Sequence, residues 1–454
     1  MNLNAIHNVY LIGIGGIGMS ALARYFHYLG KSVGGYDKTP SSLTQELQKE
    51  NIHVHFEDDI KLIPENFKNK THTLIIYTPA IPLHHSELVY FKENDFEIKK
   101  RSVVLGEISK RYKTIAVAGT HGKTTTSSLI AHIFKVSGKN IIAFLGGVTQ
   151  NYNTNLILDE KAEWLIAEAD EFDKSFLTLY PEIAIITSVD ADHLDIYGNT
   201  EEMRKTYTTF ANGVKEKLIL KKEIESQINI PSAITYSIKM PEADYLGESI
   251  NIQRGNYFFT LTHHKQKTEN ISVGLPGIHN VENAVAAAAA CIEAGIDIAD
   301  VKKGITHFKG VKRRFEYHIK TDYLTLIDDY AHHPEELKNC ILSAKELFPN
   351  KKITGIFQPH LYSRTRDFAN EFANSLDLLD ELFLLEIYPA RELPIEGVNS
   401  TMLLNLMKNK NKSLVEKENV IEKITQSNIE VLLIMGAGDI DRLVEPITNA
   451  LLKK

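Results

Sequence analysis

Short apolar runs alternate with longer amphipathic stretches along most of the chain. That pattern predicts strands buried on both faces, crossed over by helices. Val9–Ile12 reads as a first strand, Met19–Leu29 as a helix and Ser32–Tyr36 as a second strand. Thr73–Thr78 is a third, stopped by Pro79 and Pro82. A second series opens with the strand Thr114–Ala118. It continues through strands at Trp164–Ala167, Ile183–Thr187 and Lys217–Leu220, with a helix over 201–211. Residues 245–275 read as antiparallel strands, clearest at Tyr257–Leu261, and an alanine-rich helix, Asn280–Ala294, follows. A third series begins near Arg313, with strands at Leu324–Ile327, Ile353–Phe357, Glu381–Leu385 and Val431–Met435. The class expected is α/β, in three successive domains with parallel sheets, whose ligands sit at the strand C-termini.

The strongest local signal lies between the strand Thr114–Ala118 and a helical pattern over Thr125–Phe134. Gly119, Thr120, His121, Gly122, Lys123, Thr124 and Thr125 fill the turn. Strand, glycine turn with Lys and Thr, then helix is the setting of a phosphate-binding loop. The glycines let backbone N–H groups face an anion at a positive helix end. Lys123 is placed to reach terminal phosphates and the Thr124 hydroxyl to reach Mg²⁺. The loop is short, because Val117 stands where the general pattern has its first glycine. The plain alternative is an exposed Lys on a tight turn.

Gly13, Gly15, Gly16 and Gly18 follow the first strand, with Met19 and Ser20 opening a helix and Asp37 ending the second strand. This fits a dinucleotide fingerprint, but shows only that a phosphate or pyrophosphate can approach the backbone. Glu168, Asp170, Glu171 and Asp173 follow the strand Trp164–Ala167; one acid binding metal and the rest solvated is the expectation, with Glu168 nearest the strand end. His193 follows the strand Ile183–Thr187 and reads equally as a metal ligand or a packed side chain. Asn280, near His279 and Asn283, reads as a helix cap, and these side chains also suit an adenine edge. Arg313 and Arg314 lie at a domain boundary, as a phosphate-reaching arginine or as a solvated hinge. Tyr330, His332, His360 and Arg364 fall at strand ends of the third domain, where a small anionic substrate is held.

Composition narrows the field. The chain has 454 residues, 43% hydrophobic and 24% charged, with net charge −7. It is an ordinary globular composition, and the acidic balance argues against nucleic acid or membrane surfaces as partners. No segment has the length to insert in a membrane. Cys291 and Cys340 lack metal-site spacing and read as reduced, buried thiols of a cytoplasmic protein.

Taken together these residues resemble the Mur ligase family, ATP-dependent amide-forming enzymes of peptidoglycan synthesis, over the whole chain and in order. The short loop Gly119–Thr124 is that family's form of the phosphate loop. The resemblance implies a Rossmann-like UDP-sugar domain (1–112), a central ATP-binding domain of the P-loop ATPase kind (113–311) and an amino-acid-binding doubly wound domain (312–454). It implies ATP and Mg²⁺ as cofactors, with UDP rather than NAD on Gly13, Gly15, Gly16, Gly18, Met19, Ser20 and Asp37. Lys123 would contact ATP phosphates, as would Arg314. Thr124, Glu168 and His193 would bind Mg²⁺, and His279, Asn280 and Asn283 the nucleotide. Tyr330, His332, His360 and Arg364 would receive the amino acid, with His332 as base. Within the family, Asp328–Pro334, Gln358–Thr365 and Gly436–Ile440 look like the member that joins L-alanine to UDP-N-acetylmuramate, a monomer or homodimer. The competitor is the relative that attaches a recycled tripeptide to the same sugar. An NAD oxidoreductase or a non-catalytic nucleotide-binding regulator leaves much of the chain unexplained. Later members carry a carbamylated Lys at a position that is Tyr207 here, with Lys205 nearby, and some alanine-adding members have Arg where this chain has Leu361. The resemblance further implies domain closure, with hinges near 110–113 and 308–313.

Overall fold

The computed structural model describes residues 5–190, 194–253, 256–390 and 392–453, with the backbone alone at 194–195. The N-terminal apolar runs form five parallel strands. Their order is His53–His55, Ser32–Tyr36, Asn8–Ile12, Thr73–Tyr77 and Glu97–Lys100. The chain order reverses beside Asn8–Ile12, so the crevice at its C-terminal end opens where the glycines begin.

A ten-stranded sheet follows. Its centre is Lys113–Ala118, flanked in parallel by Ile183–Ile186 and Trp164–Glu168. Beyond Trp164–Glu168 lie Ile141–Thr149 and the antiparallel Thr154–Leu158. The other wing runs through Lys217–Lys221 and Ile234–Ser237 to Tyr245–Gln253, Asn256–His263 and Gln266–Val273. The last two are joined by His264 and Lys265, both at positive φ, the geometry that matches strand twist in a two-residue hairpin.

The contacts divide the chain into one unit of Met1–Ile250, Phe258–Ser272 and Glu282–Lys309, and another of Asn251–Tyr257, Val273–Val281 and Gly310–Lys454. Residues 110–113 lie inside the first unit. One apolar core there joins Leu22, Tyr25 and Phe26 of the helix Ile17–Tyr28 to Phe144, Leu156 and Leu165 of the second sheet, so the hinge expected at 110–113 is not a boundary between units. The division at Lys309/Gly310 falls within the other expected hinge.

The second unit is built on a six-stranded sheet, ordered Glu316–Lys320, Thr325–Asp329, Val431–Met435, Ile353–Phe357, Glu381–Leu384 and Lys412–Leu414. The first strand is antiparallel and the others parallel. The two outer strands were not expected. Both are short and polar, and edge strands need little apolar patterning. Helices cover the sheet on two separate apolar cores. Both cysteines are buried and unbridged, as expected. No helix among the described residues is long and apolar enough to cross a membrane.

One polar cluster is buried within the first sheet's packing. The Tyr10 hydroxyl lies 2.7 Å from His55 Nε2 and 2.9 Å from Glu87 Oε2. His55 Nδ1 donates to the Glu57 carbonyl at 2.9 Å, which leaves Nε2 as an acceptor. Glu87 is fully buried, and burial pushes its carboxyl up to about 8, the Tyr10 hydrogen bond pulling it back. Glu87 Oε1 lies 3.2 Å from His55 Nε2 but forms no hydrogen bond with it. Between the ordinary value of 4.5 and about 8 the folded protein holds a proton that the unfolded chain has released, so stability falls as pH rises through that window. The wild type is expected to lose stability between pH 5.5 and 8.5 more steeply than Glu87→Gln, by on the order of a few kcal/mol. Parallel pH profiles of the two melting temperatures would refute this.

Candidate functional site

The loop after Lys113–Ala118 is shaped by its neighbours at the same sheet edge. Gly119 and Gly122 take φ of +128° and +82°, which only glycine adopts without strain. A Cβ on Gly119 would fall 2.1 Å from Thr187 Oγ1, and one on Gly122 2.5 Å from Asn283 Oδ1. Ser188 holds the loop from outside: its Oγ accepts the His121 N–H at 2.9 Å and its carbonyl accepts the Thr120 N–H at 3.2 Å. The helix Lys123–Val136 then starts directly from Gly122. Thr124 and Thr125 are buried on its first turn.

Lys123 does not extend to solvent. Its Nζ donates to the Gly119 carbonyl at 2.6 Å and to Glu171 Oε1 at 2.9 Å, and the ion pair brings Glu171 Oε2 to 2.8 Å. Burial alone would lower the Lys123 pKa, but Glu171, Glu168 and Asp170 together raise it. Burial pushes Glu171 up to about 7, with Lys123 pulling it back. The Tyr197 hydroxyl donates to the Glu171 carbonyl at 2.6 Å and steadies that turn.

Asp170 and Asp173 keep the partial exposure expected of them, but Glu171 is buried and every carboxylate in the acidic run has a partner. The Thr124 hydroxyl donates to Glu168 at 2.7 Å, Arg101 to Asp170 at 3.0 Å and Lys100 to Asp173 at 2.8 Å. Glu168 needs Gly146 opposite, where a Cβ would lie 2.0 Å from Oε2. Thr124 and Glu168 therefore form a hard-oxygen pair suited to Mg²⁺. His193 lies outside the described residues. Asn283 is brought to the loop, its Oδ1 accepting from Thr126 Oγ1 at 3.4 Å.

In the glycine turn of the first sheet, the Gly15 N–H donates to Asp37 Oδ2 at 2.8 Å. Gly13 is at φ +89°, and Gly16 caps the helix with no side-chain hydrogen bond. Met19 and Ser20 are buried, and the Ser20 N–H is already donated to the Gly16 carbonyl at 2.8 Å and its hydroxyl to the Ile17 carbonyl at 3.0 Å. A cleft of ≈ 520 Å³ open to solvent runs from Ile17 and Gly18 past Arg101 and Phe144 to Gly146, Glu168 and Asp170.

The second unit gathers a different set. The Arg314 guanidinium stacks over the Tyr330 ring at 5.2 Å and lies 3.7 Å from Glu336. His332 Nδ1 donates to the Tyr330 carbonyl at 3.0 Å, and its N–H to Glu336 at 3.0 Å, leaving Nε2 as the basic nitrogen. The His332 and His360 rings meet edge-on at 6.0 Å, and His360 stacks on Tyr388. His279 is lowered to about 4 by burial and by Arg314. Asn280 is not the cap expected for its helix: the helix begins at Ile278, and the Asn280 amide donates to the Pro276 carbonyl at 2.6 Å. Arg364 is buried at the start of the helix Tyr362–Asp367. Leu361 turns inward at φ +73°, its N–H on the Tyr388 carbonyl at 3.0 Å, so the position where others carry Arg faces the interior. Tyr207 is fully buried against Phe176, and Lys205 is exposed on Glu201 and Glu202.

Sequence reasoning missed Ser188 and Arg101, and it named Glu171 and Asp329 within motifs without the partners they prove to hold. Asp329 accepts the Phe315 N–H at 2.7 Å and the Ala331 N–H at 2.8 Å, fixing the turn that carries Arg314. A signal existed for Ser188, which directly follows a strand expected beside the loop.

Comparison with known proteins adds an independent line. Residues 8–113 match the Mur ligase family catalytic domain, 117–291 the Mur ligase middle domain and 313–438 the Mur ligase glutamate ligase domain. The UDP-N-acetylmuramate–L-alanine ligase of Cytophaga hutchinsonii is 49% identical over 98% of this chain and 97% of its own. That of Porphyromonas gingivalis strain W83 is 50% identical over 98% of each. Among solved structures, UDP-N-acetylmuramate-alanine ligase MurC of Thermotoga maritima matches with TM-score 0.84 and 28% identity, over 98% of this chain and 99% of that one. A murein peptide ligase of Psychrobacter arcticus shares the fold, with TM-score 0.73 and 21% identity over 98% of each chain.

Proposed function

The chain belongs to the Mur ligase family, and from that premise we propose that it joins L-alanine to the lactyl carboxylate of UDP-N-acetylmuramate at the expense of ATP, in peptidoglycan precursor synthesis in the cytoplasm. The observation that carries the reading is the cleft of the first unit, which joins the glycine turn at Gly18 to the Thr124–Glu168 pair beside Lys123. A sugar nucleotide seated on the glycines would extend its acid toward the ATP phosphates.

The lactyl carboxylate oxygen attacks the γ-phosphorus in line, the bond to the β-phosphate oxygen breaks, and ADP leaves an acyl phosphate. Once its ammonium group has given one proton to His332 Nε2, the neutral alanine nitrogen attacks the acyl carbon, the bond from that carbon to the phosphate oxygen breaks, and the departing phosphate takes the nitrogen's second proton as the amide forms. Lys123 releases Glu171 to hold the γ-phosphate, and positioning of this kind dominates phosphoryl transfer. Thr124, Glu168 and His193 would hold Mg²⁺, which when bound supplies charge neutralisation at the phosphates. Asn283 borders the loop from the nucleotide side, with His279 and Asn280 on the same helix, and Arg314 is the second cation for the phosphates. Tyr330, His360 and Arg364 receive alanine, and His332 Nε2 takes the proton of its ammonium group.

The test is phosphate release by purified protein with ATP, Mg²⁺ and UDP-N-acetylmuramate, adding L-alanine or the recycled tripeptide separately. Release that requires both alanine and the sugar is the expected result. Release with the tripeptide alone would transfer the reading to the recycling ligase, and none with either would sink both.

A further inference from the structure

Arg101 is the one basic residue lining the cleft among the described residues. It sits at the start of the helix Arg101–Ser109, straight after the last strand of the first sheet. Its guanidinium lies against the first turn of the helix Ile17–Tyr28, where a Cβ on Gly18 would fall 2.3 Å from Nη1. Gly18 is not at a positive φ, so its lack of a side chain makes room for Arg101 rather than for an unusual backbone. The only protein hydrogen bond described for Arg101 is a single one, Nη2 to Asp170 Oδ2 at 3.0 Å, out of five possible donors. That helix turn carries no charged side chain of its own. A diphosphate on the glycines thus finds uncapped N–H groups, and its nearest cation in the cleft is Arg101.

We propose that Arg101 is a substrate-binding residue that takes the diphosphate of the UDP-sugar, with Asp170 holding the guanidinium in place until the substrate arrives. The inference rests on the reading of the chain as a UDP-sugar ligase and adds a residue to that site. Planar two-pronged donation to phosphate oxygens is the geometry arginine supplies and lysine does not.

The experiment is calorimetric titration of wild type, Arg101→Met and Arg101→Lys with UDP and with UDP-N-acetylmuramate, paired with steady-state kinetics. Arg101→Met is expected to weaken both ligands by roughly 10- to 100-fold, the loss of a charge-assisted phosphate contact. KM for the UDP-sugar should rise alongside, with KM for ATP, KM for alanine and the melting temperature unchanged, and Arg101→Lys should recover part of the loss. Gly18→Ala, which pushes the guanidinium away, should weaken UDP as well and keeps the question open to test if Arg101→Met fails to fold. Unchanged UDP affinity in both variants overturns the proposal. So does weakening of UDP-N-acetylmuramate alone, which would assign Arg101 to the lactyl carboxylate. Wild-type protein that binds neither ligand overturns the reading of the chain instead.

Discussion

Lys123→Met is expected to abolish alanine-dependent phosphate release to within about 10²- to 10³-fold or more below wild type, the scale of losing one preorganised donor to transition-state charge. The geometry makes a second, separable demand. Lys123 neutralises a carboxylate that is almost wholly buried, at 2.8 Å, so its removal leaves Glu171 alone in a dry site. Glu171 then takes up a proton, and because burial already raises it to about 7 with Lys123 present, the variant's folded state holds that proton to still higher pH. A raised carboxyl contributes stability below its unfolded pKa and loses it as pH climbs through the folded value. The melting temperature of Lys123→Met should therefore drop between pH 6 and 8 more steeply than that of wild type. Adding Glu171→Gln removes the unpaired acid and should restore stability without restoring activity. Activity in the double variant, or more than a tenth of wild-type activity in Lys123→Met, would show that Lys123 is a structural counter-ion only.

This pairing also marks where the sequence stopped being readable. Strand, glycine turn, Lys and Thr are contiguous, so local pattern places Lys123 and Thr124 on the right loop. What Lys123 touches is set by a different crossover, whose strand Trp164–Glu168 lies beside Lys113–Ala118 in the sheet. Spacing along the chain cannot say which acid of Glu168–Asp173 points where, because the turn after that strand carries Asp173 and Lys174 at positive φ, outside any regular period. Arg101 was invisible for the same reason. It precedes the phosphate loop in sequence but meets Asp170 across the fold, 69 positions on.

The apolar periodicity, by contrast, gave strand positions to within a residue at Ser32–Tyr36, Ile353–Phe357 and Val431–Met435. Runs buried on both faces announce themselves, while the polar edge strands Glu316–Lys320 and Lys412–Leu414 do not. Leu361 illustrates the converse. Its side chain looks like a lost contact in the sequence, and its backbone at φ +73° is what removes it from the site. Thr365 fixes that conformation by donating both its N–H and its hydroxyl to the Leu361 carbonyl.

Glu168→Gln is the second change expected to be severe. Of the four acids after Trp164–Ala167, Glu168 alone shares a hydrogen with the Thr124 hydroxyl, at 2.7 Å, and alone lies against Gly146. The other three are engaged by Arg101, Lys123 and Lys100, and a carboxylate already paired with a cation is a poor ligand for a second one. Hard divalent cations bind through anionic oxygen, and the amide of Gln offers only a neutral carbonyl. Glu168→Gln should therefore raise the Mg²⁺ concentration needed for half-maximal activity and lower kcat by about 10²-fold or more at saturating Mg²⁺. Because Gln still accepts the Thr124 hydrogen bond, the melting temperature without metal should stay close to that of wild type. Asp173→Asn, which breaks only the exposed pair with Lys100, should change kcat by less than about threefold. If Glu168→Gln kept wild-type Mg²⁺ dependence, or if Asp173→Asn shifted it equally, the ligand would have to be sought elsewhere in the run. Asp170 and Glu171 would then be the next carboxylates to test, since their cationic partners, Arg101 and Lys123, are the ones the sugar nucleotide and ATP are expected to take away.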